Sequence, residues 1–133
     1  MLEFLTGQYS TPGNPRLGPY VLAIEHRASS SLIGHVGFSP LGDDVEIGFS
    51  VAQKCQGHGF ASEAIVAASR WAFQAFGLDR IVGIASVANI ASRRTLVRAR
   101  FAYEGNKVMR FQGTEQEVSL YTLSGDAGHE PGA

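Results

Sequence analysis

Val45 to Ala64, "VEIGFSVAQKCQGHGFASEA", joins two different hydrophobic periods. Its first seven residues alternate, Val45, Ile47, Phe49 and Val51 against Glu46, Gly48 and Ser50, which predicts a half-buried strand. Its end opens a run to Phe76 in which Ala61, Ala64, Ile65, Ala68, Ala72, Phe73 and Phe76 recur at three and four, the period of an amphipathic helix. Between the two lie Gly57 and Gly59. Glycines before a helix let the backbone turn sharply and let a ligand reach the first amides without meeting a Cβ. Those amides have no intrahelical acceptor and sit at the positive end of the helix dipole. "QGHGFA" therefore reads as a candidate pyrophosphate cradle.

Upstream, "YVLAIEH" (Tyr20 to His26) and "LIGHVGF" (Leu32 to Phe38) have strand character. Gly42-Asp43 is a hairpin signal before the quoted strand, so an antiparallel meander is expected. Downstream, Gly77 offers a helix stop. "RIVGIASV" (Arg80 to Val87) reads as a buried strand. Asn89 is a candidate N-cap for the helix "IASRRTLVRA", with Ile90, Leu96 and Val97 directed at the core. Strands over Phe101 to Phe111 and Glu117 to Leu123 flank Gly113. The fold class is α+β: a mixed, mostly antiparallel sheet with helices packed on it. Residues 1–19, rich in proline and glycine, are expected to be an arm, 20–123 the domain and 124–133 a flexible tail.

The chain has 133 residues, 44% of them hydrophobic and 17% charged, with net charge −1. That suits one globular domain and excludes the basic stripe of a nucleic-acid binder. No run approaches the ~18 to 20 apolar residues that span a bilayer. A lone Cys55 excludes an intrachain disulfide and fits a reducing compartment, and the N-terminus has no signal-peptide pattern. A cytoplasmic protein is expected. His26 and His35 have no metal-ligand spacing, and no metal is expected. No Gly-Lys-Ser/Thr follows Gly59, and the third glycine of a dinucleotide fingerprint is absent.

With these residues in place, the chain resembles the GNAT superfamily of N-acetyltransferases, most of all the branch containing the ribosomal-protein alanine N-acetyltransferases. The resemblance runs from Tyr20 to about Leu123. It rests on "EIGF", on a loop in which Gln56, Gly59 and Ala61 match, on "ASEA", on Asp79-Arg80-Ile81, and on Asn89 and Ser92 before "RRTL". It implies helices on both faces of the sheet and acetyl-CoA as cosubstrate. The backbone of Gln56, Gly57, His58, Gly59, Phe60 and Ala61 would hold its pyrophosphate. Ser50 and Val51 would diverge from the strand beginning at Arg80, with pantetheine in the gap and a main-chain amide near Phe49 to Val51 polarising the thioester. Asn89 would hydrogen-bond the pantetheine arm, and Ser92 would lie near the sulfur. The family's usual N-terminal strand and helices are not evident before Tyr20, and Arg100 stands where the family carries glycine.

Attack on a thioester requires a neutral amine, yet an α-amino group has a pKa of about 7.7 to 8 and lysine about 10.4. A base within reach helps. Glu46 is the candidate, on the strand face it shares with Gly48, which leaves room for a substrate. Ser92 is the candidate acid, with Tyr103 behind it. Arg93 and Arg94 are candidates for the 3′-phosphoadenosine end, and Cys55 is a small filler. The expected function is acetyl transfer to a primary amine, of a protein N-terminus or a small molecule, in a ternary complex. A homodimer is an open option. The alternative is a degenerate acyl-CoA-binding or protein-interaction module without turnover.

Overall fold

The computed structural model describes residues 2–5, 19–26 and 28–125. Most of the expected arm and tail therefore lie outside the described residues. The elements are β1 (Leu2–Leu5), β2 (Tyr20–His26), β3 (Ser31–Leu41), β4 (Asp44–Val51), α1 (Phe60–Phe76), β5 (Arg80–Ser86), α2 (Ile90–Arg98), β6 (Ala102–Phe111) and β7 (Thr114–Ser124). Among the described residues they form a seven-stranded sheet in the order β1-β2-β3-β4-β5-β7-β6. Only the β4–β5 neighbours run parallel, and α1 supplies the crossover that a parallel pair needs.

β1 corrects the expectation that no N-terminal strand is present. It pairs antiparallel with β2, Leu5 opposite Ala23. Four residues are too few for periodicity to reveal; the open edge of β2 makes them a strand by supplying the ladder.

The alternation in the strands sorts the sheet into two faces. Leu22, Ile24, Val36, Phe38, Val45, Ile47 and Ile81 are buried together with Ala64, Ile65, Ala68 and Ala72 of α1 and Leu96 of α2. Both described helices thus pack on one face, whereas helices on both faces were expected. Tyr20, Trp71 and Phe76 seal one end of this core, with ring centroids 5.2–5.4 Å apart. Val82, Ile84 and Val118 are buried on the other face, with Leu41, Met109, Phe111 and Leu120 against them.

Close approaches place the helices. A Cβ on Gly83 would meet Leu96 Cδ2 at 2.7 Å, so glycine lets α2 lie tightly on β5. Leu96 is the buried residue of α2, and Ile90 and Val97, expected in the core, are 56% and 57% exposed. A nine-residue helix resting on one side chain and a glycine presents too narrow a face to bury all three. Asn89 caps this helix as expected, its Oδ1 accepting from the Ser92 N–H at 3.1 Å.

The C-terminal end of α2 is a Schellman turn. The Phe101 N–H donates to the Leu96 carbonyl and the Arg100 N–H to the Val97 carbonyl, both at 3.0 Å, with Arg100 at φ 75°. Only glycine adopts this conformation without strain, which costs other residues about 1 kcal/mol. Arg100→Gly is expected to raise the melting temperature by about 3–5 °C, as read by calorimetry.

Gly34 is the most closely approached of the described glycines. It lies opposite Val51, beside the bulge that sets β2 and β3 out of register, and a Cβ there would run into the Ser50 carbonyl oxygen. Gly34→Ala must push β3 from β4 where β4 ends. A loss of about 1–3 kcal/mol in denaturant unfolding is expected.

Candidate active site

β4 and β5 are paired only at Glu46–Val82 and Ile47–Gly83, although β4 continues to Val51 and β5 to Ser86. Past Ile47 the strands part. At the other end Arg80 holds Asp44 through two bonds, Nε to Oδ1 at 2.9 Å and Nη2 to Oδ2 at 2.8 Å. That guanidinium keeps the Asp44 carboxyl below its ordinary pKa. The pair is exposed, so it fixes register more than it adds stability.

The gap is walled by the loop and by both helix starts. Gly57 and Gly59 have φ of 84° and 78°, and a Cβ at either position would meet open space. Gly59 is the N-cap of α1, and the first intrahelical bond is from the Glu63 N–H to its carbonyl. The amides of Phe60, Ala61 and Ser62 therefore have no intrahelical acceptor. The Gln56 side chain ties the loop to the strand, Nε2 donating to the Val51 carbonyl at 3.0 Å.

A cavity of about 520 Å³ opens here, lined by Phe49, Ser50, Val51, Cys55, Gln56, Gly57, Gly59, Phe60, Ala61 and Ser62 on one side. Asn89, Ala91, Ser92, Arg94, Thr95 and Arg98 of α2 and its cap line the other. Two helix N-termini and two arginines thus surround it, and among the described residues no acid lines it. This is an environment for an anion.

A second cavity, about 340 Å³, lies toward the opposite face of the sheet and contains Glu46 and Gly48. Phe49, Asn89 and Ser92 line both cavities, so the two meet at the splay. Burial pushes the Glu46 carboxyl above its ordinary pKa, the direction that makes a carboxylate a better base.

The expected site residues thus converge, with exceptions. Ser50, Val51, Gln56, Gly57, Gly59, Phe60, Ala61, Asn89 and Ser92 line the first cavity, and Glu46 and Ser92 the second. His58 lies off both walls, its ring on Phe60 at 5.5 Å. Tyr103 is 54% exposed and lines neither cavity; its ring packs at a tilt against Tyr121 and its hydroxyl donates to Asn106 Oδ1 at 2.7 Å. Arg93 turns away, its Nε donating to the Tyr121 hydroxyl at 3.2 Å and its Nη1 to the Val87 carbonyl at 3.1 Å. Arg98 takes its place beside Arg94. The signal for it was the four-residue spacing, which puts both on one helix side. Phe49 was expected only through its strand face and, from the resemblance, a main-chain amide near it; that it lines both cavities was not anticipated. Among the described residues no cluster of His, Cys, Asp or Glu could hold a metal ion, and no helix is long and apolar enough to cross a membrane.

Two helix N-termini and two arginines thus lie on one side of a parted strand pair, and a half-buried carboxylate on the other. The sequence matches the Acetyltransferase (GNAT) domain over residues 3–102, and the chain belongs to that family. It is 34% identical over 105 residues to YoaA of Bacillus subtilis, an uncharacterised N-acetyltransferase, across 75% of this chain and 59% of the relative. The chain thus spans less than two thirds of that relative's length. A ribosomal-protein alanine acetyltransferase of Vibrio fischeri superposes with a TM-score of 0.72 at 21% identity, over 84% of this chain and 64% of the other. A spermidine N-acetyltransferase of Vibrio cholerae superposes with a TM-score of 0.75 at 23% identity, over 87% and 70%. At these identities the structural likeness speaks for the fold alone, and the two neighbours act on different amines.

Proposed function

We propose that the chain is the catalytic domain of an acetyl-CoA-dependent N-acetyltransferase acting on a primary amine in a ternary complex. The observation that carries this is the meeting of the two cavities at Phe49, Asn89 and Ser92. Acetyl-CoA lies in the first cavity, its pyrophosphate on the amides of residues 57–61 and its 3′-phosphate toward Arg94 and Arg98. The pantetheine arm enters the splay, where β4 offers main-chain groups past Ile47 that β5 does not pair. The acceptor enters from the side of Glu46. Its nitrogen attacks the thioester carbonyl carbon, the C–S bond breaks, and Glu46 takes the amine's proton directly or through water. An amide N–H near Phe49 to Val51 stabilises the developing oxyanion. Ser92, on both walls, donates a hydrogen bond to the leaving thiolate.

Calorimetric titration with acetyl-CoA, with ATP as control, tests the first half of this reading. Saturable binding that ATP does not reproduce is expected, followed by release of free CoA thiol when an amine acceptor is added. Absence of binding would remove the assignment. Binding without transfer to any amine would leave an acyl-CoA-binding module.

A further inference from the structure

The apolar cluster on the face opposite the helices has no described helix over it, and it forms a wall of the acceptor cavity. Leu41, Ile84, Met109 and Phe111 belong to that cluster and line the cavity that holds Glu46. Leu41 ends β3 at its hairpin, and Met109 and Phe111 end β6 at the next, so two hairpins and β5 shape one apolar wall. The second hairpin is well fixed, with Gln112 and Gly113 at φ 52° and 84° and Gln116 Nε2 bonded to the Phe111 carbonyl at 3.0 Å. Charge in this cavity is sparse: among the described residues that line it, Glu46 is the one acid and Arg110 the one base.

This inventory discriminates between kinds of amine. A polyamine brings several ammonium groups, and each one beyond the first would need its own carboxylate or be left unpaired against apolar surface and a guanidinium. A monoamine brings one, and each methylene it buries on the wall is worth about fourfold in affinity. The wall also desolvates the ammonium, which favours the neutral, nucleophilic form.

Resting on the reading of the site above, we propose that the acceptor is a primary monoamine carrying a branched or aromatic apolar group close to its nitrogen. The nitrogen sits at Glu46 and the apolar group on Leu41, Ile84, Met109 and Phe111. A free apolar amine and a peptide that begins with an apolar residue present the same chemistry.

The test is steady-state acetyl transfer from acetyl-CoA to 3-methylbutylamine, a leucine-initiated tripeptide, ethylamine and spermidine. For 3-methylbutylamine or the tripeptide, kcat/KM is expected at least tenfold above those for ethylamine and spermidine, and the better of the two identifies the source. Met109→Glu and Leu41→Glu, each adding a second carboxylate, are expected to shift the preference at least tenfold toward spermidine. Acetyl-CoA affinity should be unchanged in both, since neither residue lines the first cavity. Equal or better use of spermidine or ethylamine by the wild type overturns the acceptor class and leaves the N-acetyltransferase reading standing. An unchanged preference in both variants also overturns it. Acetyl-CoA binding with no transfer to any amine overturns both.

Discussion

Gly59→Glu is expected to weaken acetyl-CoA binding at least about 100-fold while the protein stays folded. Gly59 caps α1 in a left-handed conformation, and a Cβ there meets open space rather than a neighbour. The variant therefore loses about 1 kcal/mol to backbone strain and nothing to a clash. What changes is the charge. A carboxylate about 5 Å from a bound pyrophosphate repels it by about 3 kcal/mol at an effective dielectric of about 20, and it opposes the positive end of α1. Gly59→Ala separates the contributions, because it carries the strain without the charge and should weaken binding by tenfold or less. Equal affinities for Gly59→Glu and wild type, measured by calorimetry, would rule out pyrophosphate at this loop.

Glu46→Gln is expected to lower kcat by about 10²- to 10⁴-fold with acetyl-CoA affinity unchanged, the range a positioned general base contributes. Burial raises the Glu46 pKa, so the acid limb of the wild-type pH–rate profile should lie above the ordinary glutamate value, and the variant should lose that limb. Stability should move the other way. A group whose folded pKa is raised contributes stability that is fully present below its unfolded pKa and is lost as pH rises through the folded value. At neutral pH the wild type therefore holds a partly desolvated charge, and Glu46→Gln should melt slightly higher there, with the gap closing in acid. A variant that turns over like wild type across pH would exclude Glu46 as the base.

Much of the fold was legible because its signals are local. The alternation of Val45 to Val51 and the three-four spacing from Ala61 to Phe76 each report a face within a few residues. The helix stop at Gly77 and the Asn89 cap appear as anticipated, since each is a bond or a dihedral set by its immediate neighbours. Ile90 and Val97 misled because apolar spacing names a helix face without saying how much sheet lies beneath it. Leu2 to Leu5 was illegible for the complementary reason: its strand exists only because β2 offers an edge.

The site divides in the same way. The glycine loop, and the first amides of α1 that lack an intrahelical acceptor, were legible in the chain alone, because a left-handed glycine N-cap offers no side chain to satisfy them. The sequence by itself also placed Glu46 on the strand face away from the core, through the period of two. Only the tertiary structure decided that β4 and β5 part after Ile47, and that the two cavities meet at Phe49, Asn89 and Ser92. It alone decided that Arg93 turns to Tyr121 while Arg98 joins Arg94, and that residues from three separate strands share the wall beside Glu46. Those outcomes depend on register and packing between distant segments, and a side chain's direction is settled only when the elements around it are in place.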